Sequence, residues 1–149
     1  MMNEPRETLR QNIEQQRGKQ TWEDILEIKK LGDKEQKEYR SQARSLNAMI
    51  QINGLGQTLG FLKAKGKNAK GQRNAHAYLL SHLTHWMHGH FDQTIADATS
   101  SENDGLLRWV TNTASSADYR RATTECLAFG TWLRRFAEAE LKEPDAGEE

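Results

Sequence analysis

The sequence predicts an all-α fold, a compact bundle of about five or six helices forming one domain over residues 1–149. Three observations lead there. Sustained apolar/polar alternation is absent, and β-branched residues rarely cluster. Apolar residues instead recur at steps of three and four through most segments, the 3.6-residue period of an amphipathic helix. Short runs of Gly, Asn and Ser interrupt that period at helix-length intervals.

Thr21 is the predicted N-cap of a first helix, with Asp24 at the capping-box position, carrying Trp22, Ile25, Leu26, Ile28 and Lys30 to an end near Gly32. The polar sequence upstream offers an extension of it. Asp33 caps a second helix to about Ile52, with Tyr39, Ala43, Leu46 and Ile50 on its apolar side. Asn53 and Gly54 follow the last periodic residue, where a helix end favours residues that tolerate the left-handed conformation. A third helix carries Leu55, Leu59 and Leu62 to about Lys65, and "GKNAKGQ" at 66–72 reads as a flexible loop. A fourth helix, from about Arg73 to Met87, aligns Ala75, Leu79, Leu83 and Trp86. "TSSEND" at 99–104 breaks the pattern and caps a short helix with Leu106, Leu107, Trp109 and Val110. The last helix runs from near Ser116 to about Leu141, with Ala122, Cys126, Phe129, Leu133 and Phe136 as its buried stripe. After Pro144 the acidic end is expected to fray.

With 149 residues the chain can bury roughly 70% of the surface its unfolded form exposes, enough for a real core. Its apolar runs fall far short of the ~18 residues that cross a bilayer, and the Gln-rich N-terminus lacks a signal-peptide core. A cytoplasmic protein with no membrane partner is expected. The single cysteine, Cys126, excludes an internal disulfide and a cysteine metal cage, and reads as a small core residue.

Net charge is zero, 21 basic residues against 21 acidic, but the charges are segregated. No Asp or Glu occurs from Tyr39 to Phe91, a stretch holding Arg40, Arg44, Lys63, Lys65, Lys67, Lys70 and Arg73 and all five histidines. From Glu138 to Glu149 there are six acids and one lysine. Such a chain can turn one positive face to a polyanion despite its neutral total.

The glycines of "NGLGQTLG" at 53–60 do not make a phosphate loop. Their spacing is G-x-G-x-x-x-G after a helix, whereas a dinucleotide fingerprint needs G-x-G-x-x-G after a strand and a P-loop needs G-x-x-x-x-G-K-[ST]. A joint between closely packed helices is the better reading. His76, His82, His85, His88 and His90 crowd one helix, where pairs three apart could chelate a metal, but with no cysteine and only Asp92 close by, a solvated or interface-lining surface is favoured. No local Ser, Cys or Thr arrangement marks a nucleophile, and Glu23 with Asp24 reads as helix charge, so neither an enzyme nor a cofactor is expected. The four tryptophans read as packing residues.

The basic residues carry the functional candidate. Lys63, Lys65, Lys67, Lys70 and Arg73 surround the loop, Arg40 and Arg44 lie one helical turn apart, and Arg120 with Arg121 and Arg134 with Arg135 add pairs on the last helix. Solvated surface charge explains them as well as nucleic-acid contact does. Without an aromatic RNA-binding motif or zinc finger, any contact would be to phosphate and sugar.

Three segments together resemble the small subunit of the type III-B CRISPR effector, the fifth protein of the Cmr complex. They are "QQRGKQTWEDI" at 15–25, "YRSQARSLNAMIQINGLGQTLGFLKAKG" at 39–66 and "DYRRATTECLAFGTWLRRFAEAEL" at 118–141. The likeness covers about residues 10–141, and residues 67–104 match only in length and helical character. It implies a non-catalytic bundle acting in antiviral defence, with copies stacked head to tail beside the backbone subunits that hold the guide RNA, forming a basic groove for the target RNA, and with the backbone and large Cmr subunits and guide/target RNA as partners. It also implies that target cleavage and nucleotide cyclisation belong to other subunits. On that reading Arg40, Arg44, Lys63, Lys65, Lys67, Lys70, Arg73, Arg120 and Arg121 are the candidate RNA contacts. The alternatives are a helical protein–protein adaptor without RNA contact and a histidine-dependent metal or pH sensor.

Overall fold

The computed structural model describes the backbone of residues 6–145 and the side chains of 12–145. Six helices follow one another: α1 (Arg6–Lys29), α2 (Asp33–Asn53), α3 (Leu55–Ala64), α4 (Ala75–His90), α5 (Gly105–Asn112) and α6 (Ser116–Glu140). Among the described residues the only β feature is an isolated bridge between Lys67 and Arg73. The all-α expectation holds.

α4 is the central element. Its apolar stripe of Ala75, Leu79, Leu83 and Trp86 is fully buried, and Leu80 and Met87 on the neighbouring flank are buried too, because α2, α3 and α5 pack around it. α6 runs parallel to α1: Arg17 meets Glu125, Trp22 meets Phe136 and Lys29 meets Glu140. It runs antiparallel to α2, with Asn47 bonded to the Leu127 carbonyl and Arg40 to the Leu141 carbonyl. The expected apolar sides of α2 and α3 lie entirely in the core.

Thr21 is not an N-cap. α1 continues unbroken through it, and its buried hydroxyl bonds back to the Arg17 and Gly18 carbonyls. Packing against α6 from Glu14 to Lys29 outweighs a local capping signal, since Gly18 lets the Trp132 ring lie on the α1 backbone. Glu23 and Asp24 are accordingly mid-helix. α4 begins after Asn74, whose side chain accepts from the Ala77 N–H, and reaches His90, one turn beyond the expected Met87. In α6 the last buried position is Ala137; Phe136 is half-buried beside Trp22 and Trp132. Residues 146–149 of the end expected to fray lie outside the described residues.

The glycine stretch is a joint. Gly54 ends α2 and opens α3 at φ +87°, its N–H bonded to the Ile50 carbonyl, a conformation that a side chain would strain. Gly56 donates its N–H to the Tyr119 hydroxyl of α6.

A polar network crosses the core between α1, α2 and α4. His82 bonds through Nδ1 to the Tyr39 hydroxyl and through Nε2 to Glu27, both at 2.7 Å. That bond holds the Glu27 carboxyl below its ordinary pKa, while burial pushes the Tyr39 phenol well up. Asp24 beside them is buried with Oδ2 unpartnered, and burial raises its pKa above 3.8. A raised carboxyl costs nothing when both states are protonated and its full penalty above the folded pKa. Asp24→Asn, which keeps an oxygen for the Gln20 amide, is therefore expected to stabilise the protein at neutral pH. The advantage should vanish as pH falls toward 3.8, and urea titrations at several pH values would read it.

Candidate nucleic-acid interface

The α3–α4 loop is closed as a hydrogen-bonded turn. Asn68 Oδ1 accepts the backbone N–H groups of Lys70 and Gln72 at 2.9 and 3.0 Å, and Gly71 takes φ +74° to close the turn. The Lys67–Arg73 bridge pairs its two arms, and Asn74 ties it to the Lys65 carbonyl. The Arg73 guanidinium sits over the Tyr78 ring, 4.1 Å from its centroid, with one N–H on the Ser81 hydroxyl.

Opposite this turn lies the "TSSEND" segment. Its Asn103 is fixed by its own carbonyl, which accepts from Thr84, and by its amide, which donates to the Ala77 carbonyl. Between the two segments runs a groove of about 540 Å³ lined by Lys63, Lys67 and Arg73 on one side and Ser100, Ser101 and Asn103 on the other. No carboxylate lines it. Asp104 stands at its edge, 3.8 Å from Lys63 and 3.2 Å from Arg108. Three cations beside neutral hydroxyl and amide groups, with Asp104 near Lys63 as the one acid at the edge, make a surface suited to phosphate oxygens.

The nine basic residues read from the sequence fall into several places. Lys63, Lys67 and Arg73 share the groove, and Lys70 is exposed at the tip of its turn. Lys65 is exposed on the His76 side of α3. Arg40 bonds the Leu141 carbonyl and pairs with Glu143 at 3.8 Å. Arg44 lines a separate hollow with Arg134. Arg120 is exposed on α6, where Arg121 pairs with Asp118 and lies over the Phe91 ring. Ser100, Ser101 and Asn103 were read from sequence only as a helix break. A polar run flanked by helices marks a connection, and nothing local reveals that it closes against a loop on the far side of α4.

The histidines are individually engaged. Besides His82, His85 bonds Asp97 at 2.8 Å, His88 bonds the Ile95 carbonyl at 2.7 Å and His90 stacks on Trp86 with centroids 3.8 Å apart. His76 meets the edge of Phe61, and burial lowers its pKa. Among the described residues no three metal-ligating side chains converge. Cys126 is buried, its thiol pKa pushed far up by burial, which makes it a packing group rather than a nucleophile. None of the described helices is long and apolar enough to cross a membrane.

Comparison with known proteins bears on the whole bundle. A curated protein of Thermus thermophilus, described as CRISPR system Cmr subunit Cmr5, is 27% identical over 106 residues, covering 71% of this chain and 77% of that one. The X-ray crystal structure of a CRISPR-associated Cmr5 family protein, also from Thermus thermophilus, superposes with a TM-score of 0.64 at 26% identity, covering 87% of this chain and 97% of that one. The family described as CRISPR-associated protein (Cas_Cmr5) matches residues 13–140, nearly the whole helical bundle from α1 through α6. The chain thus belongs to the Cmr5 family of CRISPR-associated proteins, as the joint at 53–60 and the terminal helix at 118–141 led us to expect.

Proposed function

We propose that this chain is the non-catalytic small subunit of a cytoplasmic type III-B Cmr effector, stacking in several copies and holding the backbone of target RNA in antiviral defence. The observation that carries the RNA contact is the carboxylate-free groove of Lys63, Lys67 and Arg73. Its cationic side and its Ser100, Ser101 and Asn103 side suit phosphate and sugar oxygens, contacts that carry no sequence information, so binding is independent of sequence. Three phosphates engaged by one copy give a single-strand salt slope of only about −2. One copy alone therefore binds feebly, and stacked copies add effective concentration along the strand. Other Cmr subunits supply the guide and the chemistry.

RNA protection by the protein alone and with guide-loaded partner subunits, at two salt concentrations, tests this. Weak, salt-labile protection alone that becomes strong and length-dependent in the assembly is expected. If the complex assembles but RNA is ignored in both states, the basic groove docks protein and the subunit is an adaptor.

A further inference from the structure

The acidic end of the chain does not simply trail away from α6. Leu141 is buried, and its carbonyl accepts a hydrogen bond from Arg40. The Lys142 N–H donates to Gln36, whose amide is itself fastened to the Lys29 and Leu31 carbonyls at the α1–α2 turn. This root carries the next residues back along α2, where Glu143 lies 3.8 Å from Arg40 and Asp145 lies 2.9 Å from Lys37. Pro144 and Asp145 form one wall of a hollow of about 490 Å³ whose α2 wall holds Lys34, Lys37 and Ser41, with Glu38 as the one carboxylate contributed by α2 itself.

We propose that this segment is a built-in counter-anion: Glu143 and Asp145 occupy an anion-binding strip of α2 made by Lys37 and Arg40, and a phosphate ligand gains the strip only by displacing them. The root is anchored by buried and hydrogen-bonded groups, whereas the two carboxylate side chains are 81% and 67% exposed. Ion pairs whose carboxylates stand this far in solvent are weak enough to exchange. Tethering nevertheless keeps the carboxylates at high local concentration, so a lone dissolved phosphate competes poorly and a polyanion competes well. The strip is separate from the groove at Lys63, Lys67 and Arg73, whose lining holds no carboxylate and whose edge holds Asp104. The inference takes its biological ligand from the RNA-backbone reading, but its geometry does not depend on it.

The test uses the full chain with Glu143→Gln and Asp145→Asn together, in the wild-type background and in one carrying Lys37→Ala and Arg40→Ala. Tripolyphosphate and an oligouridylate are the probes, and circular dichroism checks that each variant keeps its helices. Neutralising the two acids is expected to tighten both probes by about threefold to tenfold. It should steepen the oligouridylate salt slope by about 1.4, two more phosphates at ~0.7 each. In the Lys37→Ala, Arg40→Ala background the gain should disappear. An equal gain in both backgrounds, or none for tripolyphosphate, overturns the proposal by reducing the tail to net charge or to a bystander. If tripolyphosphate tightens as expected while oligouridylate binds no variant, the strip and its counter-anion stand and the RNA reading falls.

Discussion

Reversing Lys63 and Lys67 to glutamate is expected to lower the RNA affinity of the assembled complex by about tenfold for each copy engaged at low salt, while assembly survives. Both ammonium groups line the groove opposite Ser100, Ser101 and Asn103. Lys63 reaches Asn103 at 3.4 Å, which aims it at the groove's mouth. Two lost phosphate contacts should flatten the salt slope by about 1.4 per copy, and replacing attraction by repulsion adds to the loss. Since phosphate carries no sequence information, the weakening should be uniform across RNA sequences. Arg73 is left intact, because its bond to Ser81 and its stacking on Tyr78 make it part of the fold as well as the groove. Electrophoretic shifts over a salt series read the affinity, and sedimentation reads the assembly. A variant that fails to assemble while the free subunit's weak RNA binding is unchanged would show that the groove docks a neighbouring protein.

Trp86→Ala is expected to cost about 3–5 kcal/mol, a large part of what holds a domain of this size together. The ring is 1% exposed, stacked on Phe129 at 5.0 Å and covered by His90 at 3.8 Å. Its Nε1–H donates to Glu125, the carboxylate that Arg17 of α1 grips with two hydrogen bonds. One side chain thus packs α4 on α6 and helps orient the ion pair that joins α6 to α1. Truncation leaves a large cavity and removes a donor from a half-buried carboxylate. Trp86→Phe, which keeps much of the volume and loses the donor, should cost markedly less. Urea midpoints measure both, and a loss below about 1 kcal/mol for alanine would mean that the centre of the bundle lies elsewhere.

Helices were legible in the sequence wherever one face had to be buried. Tyr39, Ala43, Leu46 and Ile50 repeat along α2 because each turn of that helix meets α4 or α6. Gly54 was legible for a local reason, the positive φ at a helix end. Thr21 misled because a capping signal is also local, and it competes with packing that cannot be seen locally. The polar residues 14–20 just before it are helical because α6 supplies a parallel partner through Trp132 and Glu125.

The basic residues show the same division at the level of function. That residues 39–91 lack acids and residues 138–149 abound in them was readable at once. Which cations share a surface was not, because charge is a property of residue type and a face is a property of the chain's path. Lys63 and Lys67 acquire their role from Ser100, Ser101 and Asn103 across the groove, and Arg40 is matched to Glu143 by the turn after Leu141. The all-α class, the core faces, the joint at Gly54 and the family could all be read along the chain, since each rests on local periodicity, backbone conformation or a contiguous motif. Which charges meet open water, which meet one another and which line a groove emerged with the packed helices, since those pairings join residues far apart in the chain and depend on how the bundle closes.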